Sequence, residues 1–420
     1  AAYGLITYHT AYLKHHYPVA FMAALMTCDK SNNDNVVKFI AEARAMGITV
    51  LQPDINESGR DFSVVRRREG DAAVELIRFG LGAVRNVGEN AVDSILEARD
   101  GEGAFESLFS LCRRVDLKRV NKRTLEGLTH AGAFDSIATG RSRAQVMAAI
   151  DLAVEQGQSA QRDRESGQNS LFSLLAAPEV EYVEEYPDVE EWPPRQKLMH
   201  EREALGFYLT GHPLDRYQQD VDRHASCRIG DLSLQHHAKE VTIAGVLCDF
   251  KEIQTKSGKG PMCFFQLEDQ FGRVEGIVFP KTYARGGEEG GETFGDRLQR
   301  VGDEPVFATG KIEVETDDAG DLARAKLLVE DVREIATVRT EHTKRVLLSV
   351  TVDQLTGPRL LKLKQIVANH AGGCAMELQV TVPGRYKASV PFHDRFGVTP
   401  SDNLMHALER LFGERVAQLA

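Results

Sequence analysis

Gly82-Ala-Val-Arg-Asn-Val-Gly88, running into Glu89-Asn-Ala-Val-Asp-Ser-Ile95, is the stretch from which the first half of the chain is read. Ala91, Val92 and Ile95 recur at helical spacing, which predicts a helix over Glu89–Arg99. The turn before it combines Asn86, a residue tolerant of left-handed geometry, with Gly88. Such a turn exposes backbone N–H groups beside a helix N-terminus, where a phosphate is well placed. Contacts of this kind hold a duplex without reading its sequence. Arg85, Asn86, Val87 and Gly88 are therefore candidate DNA contacts on a helix-hairpin-helix element, against the plainer reading of a glycine-containing turn. Such motifs usually carry Gly where Asn86 stands. Leu125–Phe134, ending in Ala131-Gly-Ala133, reads as a second, degenerate copy.

Upstream of the hairpin, Leu5, Tyr8, Leu13, Phe21, Ala24 and Leu25 predict helices broken by Pro18 and ending near Pro53. A strand pair is expected at Phe62–Val65 and Val74–Phe79. Downstream, helices are expected to continue to about Gln156. Leu111–Ile150 holds eight basic and three acidic residues, a local charge of +5. Lys118, Arg119, Lys122 and Arg123 within it are candidate phosphate contacts, with a solvated helix face as the competing reading.

Gln156–Arg195 changes character to a polar stretch in which Glu179–Glu191 carries seven acids and no base, as expected of an extended, partly disordered linker. Inside it, Gln168-Asn-Ser-Leu-Phe172 has no local core for its two apolar residues. An amide followed by Leu171 and Phe172 suits a peptide docking into a surface pocket, each anchor contributing about 2 to 3 kcal/mol before ordering costs. A helix is expected over Arg195–Leu209, stopped by Gly211-His-Pro213. Five apolar runs follow, Val241–Phe250, Met262–Leu267, Val274–Phe279, Pro305–Val314 and Ala325–Val332, with a helix-compatible segment between the third and fourth. That order predicts a five-stranded OB barrel. Lys251, Lys256 and Lys259 decorate its first turn, and of Phe264 and Phe265 one belongs to the core while the other is free to stack a base. Use of the barrel for protein contacts is the alternative. The tail alternates strand, helix, strand, strand, helix over Arg345–Val352, Pro358–His370, Ala375–Val382, Tyr386–Pro391 and Ser401–Leu419.

The fold class is thus multidomain α+β: helical segments with a helix-hairpin-helix domain, a five-stranded OB β-barrel and a small α/β C-terminal domain. A length of 420 residues predicts two to four domains. With 51 bases and 62 acids the net charge is −11, so nucleic-acid contact must come from a local patch. Six cysteines without a CxxC pair point to a reducing cytoplasm, and no apolar run is long enough to cross a bilayer. Ala1 reads as an internal residue of something longer. No Walker loop, HExxH, GxSxG or Cys/His metal cluster is visible, so neither catalytic nor metal-binding residues are assigned.

Taken in order, Ala1-Ala-Tyr-Gly-Leu-Ile-Thr-Tyr-His-Thr-Ala-Tyr-Leu-Lys-His-His-Tyr-Pro18, Pro53-Asp-Ile-Asn56, Phe79–Gly88, Ala131-Gly-Ala-Phe-Asp135 and Leu205-Gly-Phe-Tyr-Leu-Thr-Gly-His-Pro213 resemble the C-terminal part of the bacterial DNA polymerase III α-subunit family, the C-family replicative polymerases. The resemblance implies the end of a fingers domain at 1–57, a clamp-binding domain with helix-hairpin-helix elements at 58–175, an acidic linker and connecting helix at 176–235, an OB-fold at 236–340 and a C-terminal domain at 341–420. It implies that Gln168, Leu171 and Phe172 dock on the sliding clamp and that the last domain binds the clamp-loader τ subunit. Duplex and single-stranded template DNA would be partners, with no membrane. Two Mg²⁺ would be held upstream of this chain by palm carboxylates that perform nucleotidyl transfer, leaving this fragment without the chemistry or a cofactor of its own. Two other classes compete: a non-catalytic repair scaffold of helix-hairpin-helix and OB modules, and a damage-tolerance paralogue of the α subunit.

Overall fold

A computed structural model describes residues 2–70, 72–165, 183–255, 258, 260–286, 292–316, 322–413 and 416–419. The chain divides into two compact units, Ala1–Asp215 with Gln270–Arg273, and Arg216–Asp269 with Val274–Ala420.

The first unit opens with helices α1 (Ala2–His16), α2 (Pro18–Cys28) and α3 (Asn33–Ala45). Pro18 takes the first position of α2, where its fixed φ and missing N–H cost nothing. The helices do not run to Pro53. Gly47 turns left-handed at φ +76°, Ile48 N–H reaches back to the Ala43 carbonyl at 2.8 Å, and Val50–Leu51 becomes strand β1. β1 lies parallel to β3 (Ala72–Arg78), which pairs antiparallel with β2 (Ser63–Glu69) in the order β1-β3-β2. Four helices follow: α4 (Glu89–Glu102), α5 (Leu108–Arg114), α6 (Lys122–His130) and α7 (Arg143–Glu165). α7 overruns the expected end at Gln156 because the polar stretch is anchored: Ala160 is buried, and the Gln161 amide donates to the Val115 carbonyl at 2.6 Å.

Helix α8 (Pro194–Leu205) stops at Gly206, left-handed at φ +91°, short of the expected Leu209. The reason is Glu201. Its buried carboxylate accepts from Leu209 N at 2.6 Å, Thr210 N at 2.8 Å and Thr210 Oγ1 at 2.7 Å, which draws the chain out of the helix and delivers Phe207 and Leu209 to the core. One core joins residues from Val19 to Leu209, with Phe79, Ile95, Phe109, Leu125 and Phe134 at its centre. The described part of the acidic stretch is fastened to that core: Tyr186 stands edge-on to Phe109, Arg141 lies 4.0 Å over the Tyr186 ring, and Glu184 accepts from Arg113 at 3.0 Å.

The second unit contains α9 (Gln218–His224) and a closed barrel of β4 (Glu240–Gln254), β5 (Pro261–Glu268), β6 (Arg273–Val278), β7 (Pro305–Thr316) and β8 (Leu322–Glu334), in the order β4-β5-β6-β8-β7. Between the third and fourth strands, as expected of an OB barrel, lies α10 (Phe294–Val301), whose Phe294, Leu298 and Val301 join the barrel core. After α11 (Ile335–His342), the tail folds as β9 (Arg345–Thr351), α12 (Gly357–Asn369), β10 (Ala371–Val382), β11 (Tyr386–Pro391), α13 (Asp402–Phe412) and β12 (Ala417–Leu419). The final helix was expected to reach Leu419. Instead Gly413 caps α13 at φ +81°, and β12 pairs with the free edge of β9 to give the sheet β11-β10-β9-β12.

Candidate nucleic-acid interface

The hairpin before α4 is held from two sides. Arg85 N–H donates to the Ala204 carbonyl of α8 at 2.7 Å, and the Asn86 carbonyl accepts from Thr124 Oγ1 of α6 at 3.2 Å. Asn86 occupies the left-handed region at φ +65°, the conformation its side chain tolerates best after glycine. Val87 is buried, while Arg85, Asn86 and Gly88 are exposed. Gly88 caps α4 with an extended backbone and accepts from Ala91 N–H at 2.9 Å, while Glu89 and Asn90 at the start of the helix are exposed.

The Asn86–Thr124 contact sets this hairpin against the start of α6. There Asn121 caps the helix by accepting from Thr124 N at 3.0 Å, and Lys122 and Arg123 form its exposed first turn. Inside α6, a Cβ on Gly127 would stand 2.9 Å from the Arg85 carbonyl, so the close approach of hairpin and helix requires glycine there. The structure therefore brings Arg85–Gly88 together with Lys122 and Arg123, and Lys118 and Arg119 lie exposed on the connection Val115–Asn121 between α5 and α6.

The basic run is not uniform. Arg113 bonds Glu184, and Arg114 donates to the carbonyls of Ala98 (2.8 Å), Gly103 (2.6 Å) and Ala104 (3.1 Å), so both serve the fold. Lys122 meets Asp151 at 2.6 Å and Arg119 meets Asp116 at 3.4 Å, both at exposed positions where such pairs are weak. Among the described residues Lys118 and Arg123 have no carboxylate partner. The second copy expected at Ala131-Gly-Ala133 is not a surface hairpin: Ala131 and Ala133 are buried, and a Cβ on Gly132 would stand 2.2 Å from Arg143.

In the barrel, Phe265 is the core residue and Phe264, half-buried, faces the other way. Lys251 is exposed on β4 just past a bulge between Cys248 and Lys251. Lys256 and Lys259, and the peptide residues Gln168, Leu171 and Phe172, lie outside the described residues.

Sequence reading missed one cluster. His130 at the end of α6 stacks on His200 of α8 with centroids 4.2 Å apart at 10°, Trp192 lies 4.4 Å from His200, and Glu203 is one turn on. Burial first, and then the neighbouring His200, push the His130 imidazole down to about 4. No local motif announces the cluster, because its members are 70 residues apart; only the His200-x-x-Glu203 spacing on a helix hinted at it.

Among the described residues no helix is long and apolar enough to cross a membrane. A family model described as a helix-hairpin-helix motif matches residues 47–146. Proteins named DNA polymerase III subunit alpha match the chain from end to end: that of Vibrio cholerae is 32% identical over 100% of the chain. Those of Pseudomonas aeruginosa and Escherichia coli are 34% and 32% identical over 98% and 100%. In each case the chain spans 34% of the relative's length. Motif and similarity along the whole of this chain agree that it resembles a part, about one third, of the DNA polymerase III α subunit.

Proposed function

We propose that this chain is the DNA-holding part of a bacterial replicative DNA polymerase α subunit, working in template-directed synthesis while carboxylates elsewhere in the polymerase carry the Mg²⁺ chemistry. The observation that carries this reading is the Asn86–Thr124 contact, which sets two helix starts and an exposed set of bases side by side. Backbone N–H groups, positive helix ends and lysine or arginine side chains are what a duplex backbone needs, and none of them distinguishes one base pair from another. The closed barrel, with Phe264 and Lys251 at its surface, is the part suited to single-stranded template.

Two tethers would complete the role. Gln168, Leu171 and Phe172 are the residues proposed to dock on the sliding clamp, and the α/β tail the part proposed to bind the clamp-loader τ subunit. A weak peptide contact added to weak phosphate contacts gives residence on DNA that neither gives alone, because the second contact becomes intramolecular.

The test is competition: fluorescence anisotropy of the chain on a labelled duplex, displaced by unlabelled duplexes of unrelated sequence. The expected result is displacement with equal potency by all of them, and weaker binding by Lys118→Ala/Arg123→Ala. A strong preference for one sequence, or binding unaffected by the double substitution, would contradict the proposal.

A further inference from the structure

His130, His200 and Glu203 present ligand atoms that all lie within 4.8 Å of one another, and they come from two helices whose ends are otherwise joined by packing. On α8 the i, i+3 spacing puts His200 and Glu203 on one face, with His200 Nδ1 3.5 Å from the Glu203 carboxylate. Across from them, among the described residues, neither ring nitrogen of His130 has a hydrogen-bond partner. A half-buried imidazole with an unused lone pair, a second imidazole against it and an exposed carboxylate at the rim is a donor set that favours zinc-class cations over calcium or magnesium. Ligand atoms around such an ion stand roughly 3 to 3.5 Å apart at bond lengths near 2.1 Å. The imidazole lone pairs lie in the ring planes, which here run 10° from parallel, so at least one ring must turn about χ2 to aim its nitrogen at the ion while the ligand atoms close in from their present spread of up to 4.8 Å.

The outer partner is also present. His200 Nε2 lies 3.3 Å from the Gln196 side-chain amide, which after an amide flip accepts from Nε2–H and leaves Nδ1 for the metal. Trp192 covers the ring from the side.

We propose that His130, His200 and Glu203 bind one divalent transition cation of the zinc class, a structural clip that fastens α8 to α6. Both helices support the hairpin: Ala204 of α8 accepts from Arg85 N, and Thr124 of α6 donates to the Asn86 carbonyl. The clip would thus stiffen the surface that carries Arg85, Lys122 and Arg123. The binding claim stands on the three ligands alone, and only this consequence rests on the DNA reading.

Trp192 is the one tryptophan of the chain and sits against His200, so it reports on the site directly. The experiment titrates the chelator-stripped full chain with Co²⁺, reading Trp192 fluorescence, and then competes with Zn²⁺, which does not quench. Expected are a saturable quench at one ion per chain, its reversal by Zn²⁺, and a higher melting temperature with Zn²⁺ bound. Glu203→Gln alters an exposed side chain and keeps the fold; because it replaces a ligating carboxylate by a far poorer amide donor, it should weaken Co²⁺ binding by about tenfold or more. His130→Asn should abolish the quench. Absence of a saturable quench in the wild type, or unchanged quenching in Glu203→Gln and His130→Asn, overturns the proposal. Neither result depends on whether the chain binds DNA, so failure of the clip and failure of the DNA reading are told apart.

Discussion

Asn86 carries a backbone conformation that most residues avoid, at φ +65°. Asn86→Ala should destabilise the first unit by about 1 kcal/mol, while Asn86→Gly should be neutral or slightly stabilising, as thermal melts of the two variants would show. His212 offers a second test. Its imidazole is buried, burial first and then the charges of Arg202 and Arg44 lower it to about 3, and Nδ1 accepts from Leu214 N at 3.1 Å. The folded value lies below the ordinary value of 6.5, so the unfolded chain binds the extra proton first. The contribution of neutral His212 is whole above about pH 6.5 and is lost progressively as pH falls toward 3, by about 2 kcal/mol at pH 5. His212→Asn keeps an acceptor for Leu214 and should flatten that part of the pH dependence in urea unfolding between pH 7 and 5; an identical slope in both proteins would refute the assignment. At this scale Asn86 was legible because turn chemistry is local. Glu201 was not: a carboxylate buried to hold two N–H groups and a hydroxyl looks, in sequence, like any other surface acid of an amphipathic helix.

Elements were read well where periodicity is long and poorly where a single residue ends them. The five barrel strands and the helix between the third and fourth follow directly from their apolar runs. The end of α13 does not, because Gly413 and the three-residue β12 are too short to outweigh the helical pattern around them, and only the open edge of β9 gives β12 a reason to form. The basic run behaves similarly: charge counting cannot separate Arg114, which holds three carbonyls, from Lys118, which projects outward. Two outcomes follow at this scale. Arg114→Ala should lower stability with a nearly unchanged salt dependence of DNA binding, whereas Lys118→Ala should leave stability alone and reduce the slope of log affinity against log salt by about 1. Gly127→Val forces a side chain against the Arg85 carbonyl, and should cost about 1 to 3 kcal/mol in unfolding while weakening duplex binding.

For the whole molecule, the order of segments was the legible feature: hairpin, basic run, polar stretch, barrel and α/β tail appear in the structure in the sequence in which their patterns occur. What the linear pattern did not convey is that one core runs from Val19 to Leu209 and that Glu184 and Tyr186 of the acidic stretch are fastened to it, since those contacts join residues some 70 apart. The proposed tether makes its own prediction. Calorimetric titration of the chain with its cognate sliding clamp should show binding that disappears in Leu171→Ala/Phe172→Ala, and equal binding by both proteins would move the clamp site elsewhere. The central claim, that a sequence-independent grip on duplex DNA is built from the hairpin and the start of α6, is tested most directly by measuring duplex affinity as a function of salt. The wild type would be compared with Arg85→Ala/Lys118→Ala/Lys122→Ala/Arg123→Ala, after circular dichroism shows that both are folded. The account predicts a log–log slope shallower by about 3 to 4 in the variant, with affinity falling to match; equal slopes and equal affinities would contradict it.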